Sequence, residues 1–124
     1  MSRGKRNAAI FAGLPIHQRA WIRSIADRNG ETCECVIDEL AYIAAGKARS
    51  GVCASRRIRI PGVSTEYFRS GMKLARMRIA EGRTAAELLV RIAVHYALDA
   101  ASLKFSPEDF IAIGDAIKRE EALT

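Results

Sequence analysis

Residues 56–61, with the sequence RRIRIP, contain the side chains whose type and spacing are best suited to chemistry. In an extended strand, alternation points Ile58 and Ile60 to one face. Arg57 and Arg59 then share the opposite face. An arginine guanidinium can donate a bidentate pair of hydrogen bonds to guanine O6 and N7, and otherwise binds phosphate. The segment therefore predicts a short strand, ended by its proline, that presents two arginines to nucleic acid.

The charge of the chain favours the same kind of partner. The 124 residues carry a formal net charge of +6. Residues 1–50 contribute +3, residues 51–100 contribute +5, and residues 101–124 contribute −2. A basic domain attracts polyanions, of which nucleic acid is the commonest. The charge alone leaves open the alternative that the excess arginine only solvates the surface.

The sequence shows no residue pattern that is typical of an enzyme, a metal site or a membrane protein. No Ser-His-Asp set, paired-carboxylate pocket or phosphate loop stands out. Cys33 and Cys35 lack a second pair of ligands at zinc-finger spacing, and His17 and His95 are isolated. No apolar run approaches the roughly 20 residues of a membrane span, and no secretory signal opens the chain. We therefore expect a soluble, intracellular protein without enzymatic activity, cofactor or metal.

One pattern occurs twice in the chain, in residues 7–46 and in residues 56–98. Each copy contains a short strand, a proline, an amphipathic helix, a glycine, a threonine and a second amphipathic helix. Superposing the two threonines aligns six apolar or small positions of the second helices, which we expect to be buried. They are Cys33, Val36, Ile37, Leu40, Ala41 and Ala44 in the first copy, and Ala85, Leu88, Leu89, Ile92, Ala93 and Tyr96 in the second. Residues 47–55 between the copies are a predicted linker.

The first predicted strand, within residues 7–15, differs from the second. Superposing Pro15 on Pro61 puts Phe11 and Gly13 in the outward positions that arginines occupy in the second copy. Two interpretations of Phe11 stay open, contact with a thymine methyl group or a base step, and packing on a neighbouring element. Because the two strands have such different outward faces, we expect an asymmetric DNA site.

Local signals predict where the helices begin and end. Thr32 and Thr84 are the predicted caps of the second helices, and the amides of a helix N-terminus can also bind a phosphate. Gly30 is a predicted stop for the first helix of copy one, and Ser64 or Thr65 is a predicted start for its counterpart. A C-terminal helical extension, residues 102–124, is predicted to begin at Pro107. We expect it to brace the domain, with partner docking as the alternative.

The repeated strand-Pro-helix-Gly-x-Thr-helix pattern resembles the ribbon-helix-helix DNA-binding superfamily in its single-chain, tandem form. The resemblance implies one mainly α domain over residues 1–124, with two short antiparallel strands, four helices and the extra C-terminal helix. In that superfamily, outward strand residues contact bases in the major groove and second-helix N-termini clamp phosphates. Carried over, the base-contacting residues are Arg57, Arg59, Phe11 and Gly13. The phosphate-contacting residues are Thr32 and Thr84, with Arg83, Arg56, Lys5 and Arg6 as neighbouring cations.

More narrowly, the tandem form is similar to plasmid-transfer accessory proteins, including those of virC operons that bind the overdrive enhancer beside a T-DNA border. This resemblance implies a cytoplasmic bacterial protein that binds double-stranded DNA and assists T-DNA border processing and conjugative transfer. Its implied partners are a relaxase and a ParA-like ATPase, and it implies a monomer with an internal pseudo-two-fold axis. Two alternatives stay open, a transcriptional repressor with the same fold and a protein-interaction module whose arginines meet an acidic partner.

Overall fold

The computed structural model describes residues 3–46, 58–80 and 86–123, and these residues form six helices. The helices are α1 (Arg3–Ala12), α2 (Ile16–Asn29), α3 (Cys33–Ala44), α4 (Glu66–Ala80), α5 (Ala86–Ser102) and α6 (Pro107–Leu123). No strand occurs within the described residues. The predicted ribbon-helix-helix fold is therefore wrong, because that fold needs a ribbon of two paired strands.

The first predicted strand is part of helix α1. Asn7, Ile10, Phe11 and Leu14 are all buried, and their spacing of three, four and seven residues is that of one helical face. Three alanines, Ala8, Ala9 and Ala12, lie among residues 7–12, and alanine has the highest helix propensity. The helix packs this face against α3. Burial of a helical stripe thus takes precedence over the strand alternation predicted for residues 7–15.

The described part of the second predicted strand has no regular secondary structure, although its side chains alternate as predicted. Ile58 and Ile60 are buried in the core, and Arg59 between them is exposed. The Arg59 N–H donates to Asn29 Oδ1 (3.3 Å), so a side chain at the end of α2 takes the place of a partner strand. Residues 47–57, including the predicted linker, lie outside the described residues.

The helical hairpin of the first copy, α2 and α3, begins and ends where the sequence predicts. Gly30 follows α2 with φ 64°, and its N–H donates to backbone carbonyls of the last turn of that helix. This left-handed conformation favours glycine. Thr32 precedes α3, and its hydroxyl accepts a hydrogen bond from the Cys35 N–H (3.2 Å). Both predicted helix ends are confirmed.

The second helices of the two copies, α3 and α5, pack against each other at the centre of the molecule. On α3 the predicted face is confirmed, with Val36, Ile37 and Leu40 fully buried. On α5 the predicted face is confirmed only in part. Ala93 is fully buried and Leu89, Ile92 and Tyr96 are partly buried against the core, while Ala85 lies outside the described residues. The most buried side of α5 is shifted from the predicted one and consists of Val90, Ala93, Val94, Ala97, Ala100 and Ala101. Leu88, which the repeat predicts to be buried, is 47% exposed.

This shift has a physical cause, because α5 contacts both α3 and α4 and therefore has two apolar sides. The side with valine and alanine faces the core, where small residues allow close approach of the helices. The side that the repeat alignment selects lies along α4. Helix α4 is capped by Thr65, one of the two predicted caps, whose hydroxyl accepts a hydrogen bond from the Phe68 N–H (3.2 Å).

The last helix, α6, begins at Pro107 as predicted and packs against α2. Ser106 and Asp109 cap its N-terminus reciprocally, since the Asp109 N–H donates to Ser106 Oγ (3.2 Å) and the Ser106 N–H donates to Asp109 Oδ2 (2.8 Å). Near the other end, Glu120 is buried against Arg23. The helix therefore braces the domain through α2. Of the helices in the described ranges, none has both the length and the apolar character needed to cross a membrane.

Candidate nucleic-acid interface

Arg59 is the predicted base-contacting residue that the structure presents most clearly. Its neighbours Ile58 and Ile60 are buried, which holds the backbone of this segment against the core. The hydrogen bond from its N–H to Asn29 Oδ1 fixes it beside the end of α2. Asn29 is held in turn, because its Nδ2 donates to the Ile25 carbonyl (2.8 Å). An exposed guanidinium thus extends from a short segment that is anchored at both ends.

Three further cations surround a cavity whose lining includes Pro61, two residues after Arg59 in the chain. Arg28, Lys104 and Arg119 line one cavity of about 580 Å3, together with Pro61 and Gly62 of the segment that follows Arg59. These three side chains come from α2, the α5–α6 turn and α6, and all three residues are exposed. We call Arg28, Arg59, Lys104 and Arg119 the basic rim. None of the four has an ion pair or side-chain hydrogen bond to another described residue.

Two carboxylates, Asp27 and Asp109, line the same cavity and reduce the net positive charge of the basic rim. The two hydrogen bonds with Ser106 hold the pKa of Asp109 below its usual value, and the charge of Arg28 adds to this effect. Asp109 is thus an ionised helix cap. The surface keeps a net positive charge, with four cations against two carboxylates, and suits a polyanion better than a compact anion that would have to enter the cavity.

Phe11 and Gly13 lie where a ribbon strand would not place them. Phe11 is on α1, 7% exposed, and the Arg23 guanidinium lies 5.2 Å from its ring centroid. Gly13 is in the turn after α1, where a Cβ atom would come within 2.8 Å of Arg91 Nη2. Phe11 thus packs on a neighbouring element, which was one of its two interpretations. Because residues 7–15 form no strand, Phe11 and Gly13 are not in the ribbon that was predicted to place them against DNA bases.

Thr32 caps α3, and the carboxylates around it outnumber the cations. One cavity of about 530 Å3 is lined by Thr32, by the four carboxylates of Asp27, Glu31, Glu34 and Glu120, and by the two guanidinium groups of Arg19 and Arg23. Glu34 is also in the first turn of α3, where its charge favours the positive end of the helix dipole. The positive amides are therefore already matched by carboxylates. The structure thus confirms Thr32 as a helix cap, and its role as a phosphate contact stays a prediction.

The remaining predicted phosphate contacts divide into two groups. Lys5 and Arg6 lie on α1, Lys5 exposed and Arg6 half-buried with its Nε buried and without a hydrogen-bond partner in the described part of the chain. The other predicted phosphate contacts, Arg56, Arg83 and Thr84, lie outside the described residues. The predicted base contact Arg57 lies outside them too. Of the predicted site residues that the structure describes, Arg59 alone belongs to the basic rim.

Sequence reasoning missed Arg28, Lys104 and Arg119 as members of this surface. They are separated by up to 91 positions, and each has the ordinary pattern of an exposed charge on a helix or turn. Only the packing of α6 on α2 and the position of the α5–α6 turn bring them together. No local signal in the sequence distinguishes them from Lys73 or Lys118.

Comparison of the chain with protein-family models, curated proteins and solved structures finds no match.

Proposed function

We propose that this chain is a double-stranded DNA-binding protein that holds the phosphate backbone through the basic rim, with Arg59 as its most important contact. The observation that carries the proposal is the exposed, anchored Arg59 beside three cations that have no ion-pair partner in the described residues. The net charge of +6 supports the same partner. The proposal needs no strand ribbon, because phosphate contacts depend on the placement of positive charge.

The finer part of the proposal concerns the DNA and its use. We assign to this chain an enhancer of the overdrive type beside a T-DNA border, where it would assist a relaxase. The support for this part is the sequence resemblance in the helix-Gly-x-Thr-helix portion of the repeated pattern, because the described residues contain no strand. A promoter operator is the alternative DNA, and the same experiment can include it as a third duplex.

The basic rim sets the expected salt dependence of binding. Four neutralised phosphates give a slope of log K against log salt of about −3.6. Affinity should then fall about 150-fold between about 50 and 200 mM salt. Fluorescence anisotropy of the chain on a labelled overdrive duplex, and on a shuffled duplex of equal composition, measures both the slope and the preference.

Arg59→Ala separates a phosphate contact from a base contact. A phosphate contact predicts weaker binding to both duplexes and a slope smaller by about one. A base contact predicts a loss of roughly 1 to 3 kcal/mol on the overdrive duplex alone. Arg69→Ala is the matched control, because Arg69 is an exposed arginine whose Nη2 is already paired with Glu66 (3.3 Å) on α4.

The outcomes distinguish the two parts of the proposal. Tighter binding to overdrive than to the shuffled duplex supports the finer part, and equal binding to both removes it. If Arg59→Ala and Arg69→Ala bind both duplexes as the unchanged chain does, the basic rim is not the DNA-binding surface. Circular dichroism of each variant checks that the helices are intact.

A further inference from the structure

A second feature of the surface, apart from the basic rim, is an apolar groove between α4 and α5. It encloses about 480 Å3 and is lined mainly by apolar residues of the two helices. The lining apolar residues are Leu74, Ala75 and Ile79 from α4, and Leu88, Ile92 and Tyr96 from α5. We call this the α4–α5 groove. Leu74 is 48% exposed and Leu88 is 47% exposed, and Met77 beside them is exposed too.

The apolar floor of the groove lies on the side of α5 that the sequence repeat predicts to be core. Leu88, Ile92 and Tyr96 are four residues apart and follow one line along α5. The aligned residues of the first copy include Val36 and Leu40, which other helices cover completely. Leu88 is therefore a large apolar residue at a position that is buried in the first copy, but the described residues of this chain leave it half exposed. A partner that covers this line would bury large apolar side chains, which is favourable.

At one end of the groove, α4 and α5 are in close contact. Gly71 lies so close to the Tyr96 ring that a Cβ atom there would be 2.7 Å from it, so α4 and α5 approach closely at this point. Tyr96 meets the Tyr67 ring edge-on, with 5.4 Å between centroids. The Tyr67 hydroxyl donates to Asp99 (2.7 Å) across the two helices. From Gly71 to Ile79 the groove extends about 12 Å along α4, enough for about two turns of a docked helix.

The charge around the groove selects the partner. Arg78 on α4 and Arg91 on α5 line it, both exposed, and the Arg91 guanidinium also lies next to Gly13 in the turn after α1. None of the carboxylates among the described residues lines the groove. A second copy docked through the same groove would bring these arginines against their own counterparts. DNA bound in the groove would bring charged phosphates into contact with the apolar side chains of Leu74 and Leu88, which is unfavourable. An amphipathic helix with acidic flanks avoids both costs, because its apolar face covers the leucines and its carboxylates pair with the arginines.

We propose that the α4–α5 groove is the docking site for an acidic amphipathic helix of a partner protein, whose apolar side chains cover Leu74 and Leu88 and whose carboxylates pair with Arg78 and Arg91. This goes beyond the proposed DNA binding and does not depend on it, since the basic rim contains none of these residues. It leaves DNA and partner helix free to bind at the same time.

Two designed peptides test the proposal by fluorescence anisotropy with the full chain and no DNA. Both have leucine at alternating spacings of three and four residues, with glutamate at the other positions of one peptide and lysine at those of the other. We expect the glutamate peptide to bind at least about tenfold more tightly than the lysine peptide. The double variant Arg78→Glu and Arg91→Glu should reverse this preference.

Substitution of the apolar floor gives the second arm. Leu88→Ser should weaken binding of the glutamate peptide about tenfold or more. Because Leu88 is half exposed, we expect the chain to stay folded. Ile111→Ser on α6 is the matched control, an exposed aliphatic residue outside the groove, and should leave binding unchanged.

Several results would overturn the proposal. They are absence of binding by the glutamate peptide, equal binding of both peptides, and unchanged binding by Leu88→Ser. Sedimentation of the chain alone adds a further check. A dimer that Leu88→Ser dissociates would show that a second copy occupies the groove instead of an acidic helix.

Discussion

Replacing Glu120 by glutamine is expected to weaken the attachment of α6 to α2 and so to destabilise the whole domain. The Glu120 side chain is 3% exposed, and Arg23 holds both of its oxygens. Arg23 Nε donates to Oε2 (2.5 Å) and Arg23 Nη2 donates to Oε1 (3.1 Å). Arg19 Nε lies 3.8 Å from Oε1. Glutamine keeps the shape of the side chain but removes the charge and one of the two acceptor oxygens.

The magnitude follows from the burial of each partner. Removing one member of a fully buried ion pair costs about 3 to 5 kcal/mol, and an exposed pair contributes only about 0 to 1 kcal/mol. Glu120 is buried, but Arg23 is 41% exposed, so water can solvate the guanidinium that Glu120→Gln leaves behind. An intermediate loss of about 2 kcal/mol is therefore expected. In a chain of this size that corresponds to a fall in Tm of about 8 °C.

Urea unfolding followed by circular dichroism measures this loss, and its pH dependence identifies the cause. The hydrogen bonds from Arg23 hold the pKa of Glu120 below its usual value, although burial acts in the opposite direction. A carboxyl with a lowered pKa stabilises the fold fully above its usual pKa and loses that contribution as pH falls through the folded-state pKa. The unchanged chain and Glu120→Gln should therefore converge in stability in acid.

Two controls sharpen this experiment. Asp115→Asn, at an exposed carboxylate on the same helix, should change the free energy of unfolding by less than about 0.5 kcal/mol. Arg23→Gln should cost more than Glu120→Gln, because it leaves a buried carboxylate without its main partner. A loss for Glu120→Gln that matches that of Asp115→Asn, or that is independent of pH, would refute the reasoning.

Two further stability predictions test the local geometry by the same urea assay. Gly62→Ala should lower the free energy of unfolding by about 3 kcal/mol or more, because φ is 90° there and the new Cβ would lie 2.2 Å from the Ala97 carbonyl oxygen. Gly114→Ala is the control and should be neutral or stabilising by up to about 1 kcal/mol, because a Cβ there meets nothing within 4 Å. Equal changes in stability for the two variants would contradict the argument. Thr32→Ala should lower the free energy of unfolding by about 1 kcal/mol, because the Cys35 N–H loses its cap. We expect its DNA affinity to be unchanged, and a fall in DNA affinity of the folded variant would support a phosphate contact by Thr32.

Local signals in the sequence were sufficient for four of the helix ends. Gly30, Thr32, Thr65 and Pro107 each stand where the structure begins or ends a helix. Each acts on backbone groups within a few residues, through a left-handed φ, a side-chain hydrogen bond or a missing N–H. Such interactions depend little on the rest of the chain, which explains why pattern and structure agree at these positions.

The same sequence was ambiguous where two periodicities fit one segment. Ile10 and Leu14 suit a helical stripe, and residues 7–15 also permit strand alternation. Contact of α1 with α3 decides between them, because a helix buries Asn7, Ile10, Phe11 and Leu14 together. The missing ribbon also removes the arrangement on which Phe11 and Gly13 depended as base contacts.

The sequence by itself therefore determined four of the helix ends, the basic charge and the alternation of buried and exposed side chains around Arg59. Only the tertiary structure decided that residues 3–12 are a helix, that α5 turns its valine and alanine side to the core, and that Glu120 lies against Arg23. It also decided the membership of the basic rim. The physical reason is distance along the chain. Caps and alternation act between near neighbours, whereas burial and charge clustering depend on residues up to 97 positions apart.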